Sequence, residues 1–137
     1  MKRVFLMALA AVGALVPTAA IADVQALTID SQVDFIDGNS VRVSGTITCD
    51  VGDRFRVGIP TGGLTTNAGT TNQRSGPDTG NCTGSSQTWR VVVMRDSGPA
   101  YAPGQTGTVQ ARAQSGTPGD ADPNDTEVVT SQAITIN

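Results

Sequence analysis

The sequence predicts an all-β domain, and three observations carry that prediction. Beyond residue 22 the chain has no lysine, one glutamate (Glu127), one methionine (Met94) and two leucines (Leu27 and Leu64), so most strong helix formers are nearly missing. Valine, isoleucine and threonine take their place, and these suit a pleated, half-buried surface. Apolar residues then recur every second position in several short runs, the period of strands with one face buried. Six or seven such runs point to a single antiparallel immunoglobulin-like or Greek-key β-sandwich.

The chain opens differently. Lys2 and Arg3 precede an apolar stretch from Val4 to Val16, Pro17 ends it, and Ala20-Ile21-Ala22 offers a cleavage site of the A-x-A kind. Residues 1–22 are therefore read as a signal peptide with a helical apolar core, and residues 23–137 as the sandwich domain. The apolar stretch falls short of the roughly 20 residues that a membrane-spanning helix needs. Cleavage before Asp23 leaves 115 residues, from 137 − 22, enough for one core. It also removes two basic residues and leaves 7 against 12 acidic ones, a net charge of −5. That sign argues against nucleic acid and anionic membranes as bulk partners. No cysteine follows the cleavage site for lipidation, so the expected product is secreted, either extracellular or periplasmic.

Each element follows from the alternation. Leu27, Ile29, Val33 and Phe35 alternate with polar residues to form a first strand, and Asp37-Gly38-Asn39 reads as a turn. Val41, Val43, Ile47 and Cys49 mark a second strand, and Phe55, Val57 and Ile59 a third. Residues 60–86 are rich in Gly, Thr, Asn, Ser and Pro and read as a long loop with room for a short edge strand near Leu64. Trp89, Val91 and Val93 restore alternation, then Val109, Ala111 and Ala113, and Val128 to Ile136 closes the set with Ile134 and Ile136 inward.

Cys49 and Cys82 are the only cysteines, and in an exported chain they are expected to form a disulfide. Closing a loop of 33 residues stabilises by about 3–4 kcal/mol in the chain-entropy view. Without histidine or a C-x-x-C spacing, a metal site or reactive thiol on these cysteines is disfavoured.

The run Val43-Ser44-Gly45-Thr46-Ile47-Thr48-Cys49, with Cys82-Thr83-Gly84, Gln87-Thr88-Trp89, Pro103-Gly104 and Val109-Gln110-Ala111-Arg112-Ala113, resembles a family of small secreted bacterial β-sandwich proteins of unknown function. The resemblance implies an immunoglobulin-like fold, the disulfide and export, and it carries no functional residue. The antibody pattern itself is absent, because Trp89 follows both cysteines instead of lying between them.

For chemistry, the absence of histidine excludes Ser-His-Asp, Cys-His and H-E-x-x-H arrangements. No enzymatic activity and no cofactor are expected. A carboxylate hydrolase remains as an alternative through Asp34/Asp37 or Asp50/Asp53, residues that equally suit turns. Asp120, Asp122 and Asn124 place oxygen donors at alternate positions, as Ca²⁺ requires, although the EF-hand glycine is replaced by Asp125 and its last glutamate by Ser131. Tyr101, between Pro99 and Pro103, is the one aromatic expected to stand exposed as a platform for a sugar ring. Arg42, Arg54, Arg56, Arg90 and Arg112 all fall on outward positions, where they either solvate a sheet face or gather into a patch for sulfated or phosphorylated polymers. Asn81-Cys82-Thr83 and Asn124-Asp125-Thr126 match the glycosylation sequon, which carries little meaning in a bacterial chain. The leading expectation is a non-enzymatic interaction module for an unknown protein or cell-surface polymer, touching it through residues 60–81 and 115–126.

Overall fold

The computed structural model describes residues 24–116 and 127–137. The segment read as a signal peptide and the loop holding Asp120, Asp122 and Asn124 lie outside these residues. Among the described residues there is no helix. There are ten strands: β1 (Val24–Ile29), β2 (Gln32–Asp37), β3 (Ser40–Cys49), β4 (Arg54–Gly58), β5 (Leu64–Thr66), β6 (Thr71–Asn72), β7 (Asp78–Asn81), β8 (Gln87–Ser97), β9 (Thr106–Gly116) and β10 (Val128–Ile136).

The architecture rests on two long strands, β3 and β9. Each has one continuous partner along one edge, β8 for β3 and β10 for β9. Each has two shorter partners set end to end along the other edge, β1 and β2 for β3, β4 and β5 for β9. The two systems are joined twice. β6 bridges β8 to β5, and the start of β2 pairs with the end of β10 through Gln32↔Thr135 and Val33↔Ile136. The pairings β10-β2-β3-β8-β6-β5-β9-β10 thus close a circuit, with β1 appended to β3 and β4 with β7 appended to β9.

This differs from the expected six or seven antiparallel strands in two ways. The β2–β10 pair is parallel, so the sheet is mixed. The polar stretch 60–86 contributes β5, the short strand expected near Leu64 but lying between β6 and β9 instead of at an edge, and also β6 and β7, whose Thr, Asn and Gly content hides them from a reading based on apolar alternation. The first predicted strand is also divided, at Asp30 and Ser31, because the chain leaves β3 there to reach β10.

One face of the sheet is dry. Val33, Val41, Val43, Ile47, Val57, Leu64, Trp89, Val93 and Val109 are fully buried, and Phe55, Ala111, Ile134 and Ile136 complete the same core. Small residues let the layers approach closely. A Cβ on Gly45 would stand 1.9 Å from the Thr28 carbonyl oxygen and 2.9 Å from the Trp89 ring. That closeness allows the Trp89 indole N–H to donate to the carbonyls of both Thr28 (3.1 Å) and Thr46 (3.2 Å), which satisfies the one polar atom of the largest core side chain. Cys49 at the end of β3 is bonded to Cys82 just after β7, and both are buried. The disulfide anchors the 82–86 connection, where the Gly84 N–H donates to the Cys49 carbonyl (3.0 Å).

Candidate arginine cleft

The site starts from strand alternation. In β4, Phe55 and Val57 point into the core, so Arg54 and Arg56 point out. In β9, Ala111 and Ala113 point in, and Arg112 and Gln114 point out. The register places Arg56 opposite Gln114 and Gly58 opposite Arg112, so Arg56 and Arg112 are diagonal neighbours, about 7–8 Å apart at the backbone. Gly58 presents no side chain between them.

A wall rises beside this pair because β4 and β5 do not abut. Residues 59–63 turn outward between them, with the Gly63 N–H donating to the Pro60 carbonyl (2.8 Å) and Gly62 in the left-handed region (φ 72°) that glycine adopts without strain. Asn72, fully buried, holds the turn in place. Its Oδ1 accepts from the Leu64 N–H (2.8 Å), and its Nδ2 donates to the carbonyls of Pro60 (3.1 Å) and Gln73 (2.6 Å). Residues 73–77 then run back along the end of β4. The Ser75 N–H donates to the Ile59 carbonyl (3.0 Å), and the Ser75 Oγ accepts from the Ile59 N–H (2.8 Å). This segment carries Arg74 to the same place.

The result is a cleft of about 440 Å³ bounded by Arg56, Arg74 and Arg112, floored by Gly58, Ile59 and Ser75, and reached by Glu127 at the start of β10. Among the described residues, Arg56 and Arg74 make no hydrogen bond or ion pair, and Arg112 has only Glu127, at 3.9 Å. That separation is beyond hydrogen-bond length, and both side chains are well exposed, so the pair contributes little. Among the described residues, three guanidinium groups thus face one carboxylate. They are permanently protonated and can only donate, so the cleft is built to hold acceptors bearing negative charge.

A second groove, of about 610 Å³, lies between the β5–β9 region and the β2–β10 crossing. It is lined mainly by threonines and backbone and carries no charged side chain.

The predicted site residues divide accordingly. Arg56 and Arg112 meet in the cleft. Arg54 shares their outward face without lining the cleft, and Arg42 and Arg90 stand on the outer face of β3 and β8, apart from it. Arg74 and Ser75 fall inside the expected contact segment 60–81 but were not singled out within it; the signal available was the lone arginine of that polar stretch.

Tyr101 is not an exposed platform: it is 2% exposed and belongs to the core. The turn at Gly98-Pro99 folds the loop back on the β2–β3 hairpin. There the Tyr101 N–H donates to the Gly38 carbonyl (2.9 Å), and the Thr70 hydroxyl donates to the Pro99 carbonyl (2.6 Å). The phenol Oη has no hydrogen-bond partner among the described residues, and burial pushes its pKa above the ordinary tyrosine value, with Arg95 pulling the other way.

Of the carboxylate pairs, Asp34 lies within β2 opposite Arg42, whereas Asp37 and Asp50 sit at turns. Asp37 accepts from the Asn39 N–H (2.8 Å) and the Ser40 hydroxyl (2.9 Å), and those donors hold its pKa below the usual range. Asp50 accepts from the Gln25 amide and starts the turn to Asp53. Among the described residues no group of three or more His, Cys, Asp or Glu could hold a metal ion. Asp120, Asp122 and Asn124 fall outside them.

No protein-family model matches the chain, and no curated protein matches it either.

Proposed function

We propose that this chain is an exported, non-enzymatic interaction module on an immunoglobulin-like sandwich, and that it contacts its partner through the arginine cleft. The observation that carries this reading is the convergence of Arg56, Arg74 and Arg112, with Arg56 and Arg74 unpaired, on one concavity. Unpaired like charges repel, so a protein gains nothing by gathering them unless an anion sits among them.

Binding fits the cleft better than catalysis. Arginine cannot serve as a general base at ordinary pH, and among the described residues Glu127 is the only carboxylate lining the cleft. The topology supports the sandwich: β1, β3 and β8 correspond to strands A, B and E of an immunoglobulin-like domain, and β4, β9 and β10 to C, F and G. A formed disulfide is in keeping with an oxidising extracellular or periplasmic compartment.

The test is binding to three polymers at low ionic strength: dextran sulfate, polygalacturonate and uncharged dextran. At least one anionic polymer binds, dextran does not, and Arg56→Ala/Arg112→Ala abolishes binding while Arg42→Ala/Arg90→Ala preserves it. Binding lost equally in both double variants, or absent for every polymer, refutes the cleft as the contact.

A further inference from the structure

We infer that the group the cleft takes is a tetrahedral oxyanion, a sulfate or phosphate monoester at the end of a ligand, held by Arg56, Arg74 and Arg112 with the Ser75 hydroxyl as neutral donor. The inference rests on the cleft being the contact, and it adds the chemistry of what enters.

Three features lead to it. The first is the polarity of the donor set. The guanidinium groups offer only N–H, and the Ser75 Oγ already accepts from the Ile59 N–H at 2.8 Å, which leaves its own proton to be given. Ser75 is 6% exposed and lines the cleft floor. Beside them Thr61, Gln114 and Glu127 can also accept, but the donors outnumber them, so the cleft favours a ligand group rich in acceptors.

The second is direction. The three arginines arrive from three different segments: β4, the 73–77 segment and β9. A guanidinium fork engages a carboxylate along one edge. Two guanidinium groups from adjacent strands, a third from residues 73–77 and the Ser75 hydroxyl supply more donors than that edge takes up, and suit a group with three free oxygens.

The third is scale. A cleft of about 440 Å³ is near the small end of ligand sites, and the chain as a whole carries a net charge of −3. An anionic terminus entering the cleft meets, among the described residues, three cations and one carboxylate. Glu127, at 3.9 Å from Arg112, is placed to lose that contact to an incoming anion.

The experiment is titration calorimetry of the disulfide-bonded protein at low ionic strength with glucose 6-sulfate, glucose 6-phosphate, glucuronate and glucose. The two esters bind at least about tenfold more tightly than glucuronate, glucose does not bind, and Arg56→Lys weakens ester binding about tenfold by replacing a fork with a point charge. Lysine keeps the charge and the exposed position, so folding is preserved. A phosphate monoester gains its second charge near pH 6. If phosphate is the natural group, glucose 6-phosphate therefore binds more tightly than glucose 6-sulfate at about pH 7.5 and tightens on going up from about pH 5; if sulfate is, the order reverses. Glucuronate binding as tightly as the esters overturns the tetrahedral assignment and leaves the cleft as the contact. Ester binding unchanged in Arg56→Lys and Arg112→Lys overturns it as well. Failure of all four ligands, with dextran sulfate binding also indifferent to Arg56 and Arg112, overturns both this inference and the reading beneath it.

Discussion

The β1–β2 junction on β3 and the β4–β5 junction on β9 are built on one plan and end differently. In each, two short strands line up along one edge of a long one. β1 and β2 are separated only by Asp30 and Ser31, and the Asp30 N–H donates to the Ser44 carbonyl at 2.8 Å, so the ladder barely breaks. β4 and β5 are separated by residues 59–63, of which Pro60 to Gly62 leave the ladder before the Gly63 carbonyl rejoins it by accepting from the Gln110 N–H (2.8 Å); the 73–77 segment packs beside them. The first junction stays closed by backbone pairing. The second is open, and a cleft forms where outward-pointing arginines already stand. The cleft is a gap in strand pairing that the chain keeps open with Asn72.

The strongest way to break the sealed junction is Gly45→Ala. Its Cβ would collide with the Thr28 carbonyl at 1.9 Å and with Trp89, so β1 must separate from β3 and the indole N–H loses its acceptors. We expect a loss of about 3 kcal/mol or more in urea unfolding, with anion binding kept in whatever fraction remains folded.

At the open junction the matching change is Asn72→Ala. It strips the buried Leu64 N–H and the Pro60 carbonyl of their partners, and we expect a cost of about 2 kcal/mol. Because Asn72 also positions residues 73–77, anion affinity falls with stability, which is the feature that separates it from Gly45→Ala.

The outer faces differ in the sign of a smaller effect. Arg42 stands opposite Asp34 across β2 and β3, so Arg42→Ala destabilises by about 0.5 kcal/mol at low salt. Arg56 faces other cations, so Arg56→Ala stabilises by a similar few tenths. Both differences fade at about 1 M salt, where screening extends over only about 3 Å. Equal signs for the two variants would mean that the arginines in the cleft do not feel one another.

Tyr101→Phe has the smallest expected effect at neutral pH, about 0.5 kcal/mol or less in either direction, because the phenol Oη has no described partner to lose. The variant differs in alkali. Burial raises the folded pKa above the ordinary 10.0, so the folded chain holds this proton more tightly than the unfolded one. Its contribution is whole below about pH 10 and is lost as pH rises from there through the folded pKa. Melting against pH should show that alkaline decline in the parent and a weaker one in Tyr101→Phe.

How much of this was legible beforehand follows from what leaves a trace in the chain. Val41, Val43, Val57, Trp89 and Val109 are apolar at every second position, and period alone places them in the core. The disulfide followed from having just two cysteines. A short strand near Leu64 was legible from that one apolar residue, whereas β6 was hidden because Thr71 and Asn72 pair through backbone and side-chain amide instead of through apolar burial. Tyr101 was misplaced because prolines on either side suggest a projecting loop, whereas what decides its position is a long-range contact with Gly38 that no local pattern records. Arg56 and Arg112 were identified as outward but not as neighbours, since only the β4–β9 register makes them so. The parallel pairing of β2 with β10 had no local signature at all.

That pairing also sets a schedule. β2 is short of a full partner until Thr135 and Ile136 arrive beside Gln32 and Val33, with the Asn137 N–H donating to the Val33 carbonyl at 2.9 Å and the Asn137 carbonyl accepting from the Phe35 N–H at 3.2 Å. A chain that emerges from its N-terminal side can form the β2–β3 hairpin early, but the circuit stays open until residues 128–137 are free. Contacts between such distant parts of a chain are slow to form. During that interval Val33 and the unpaired edge of β2 are bare, the kind of surface on which chains associate with one another. The closing strand is thus a clock as well as a clasp: how long a newly made molecule stays vulnerable is decided by when β10 appears, and the finished circuit then leaves β2 no free edge at that crossing.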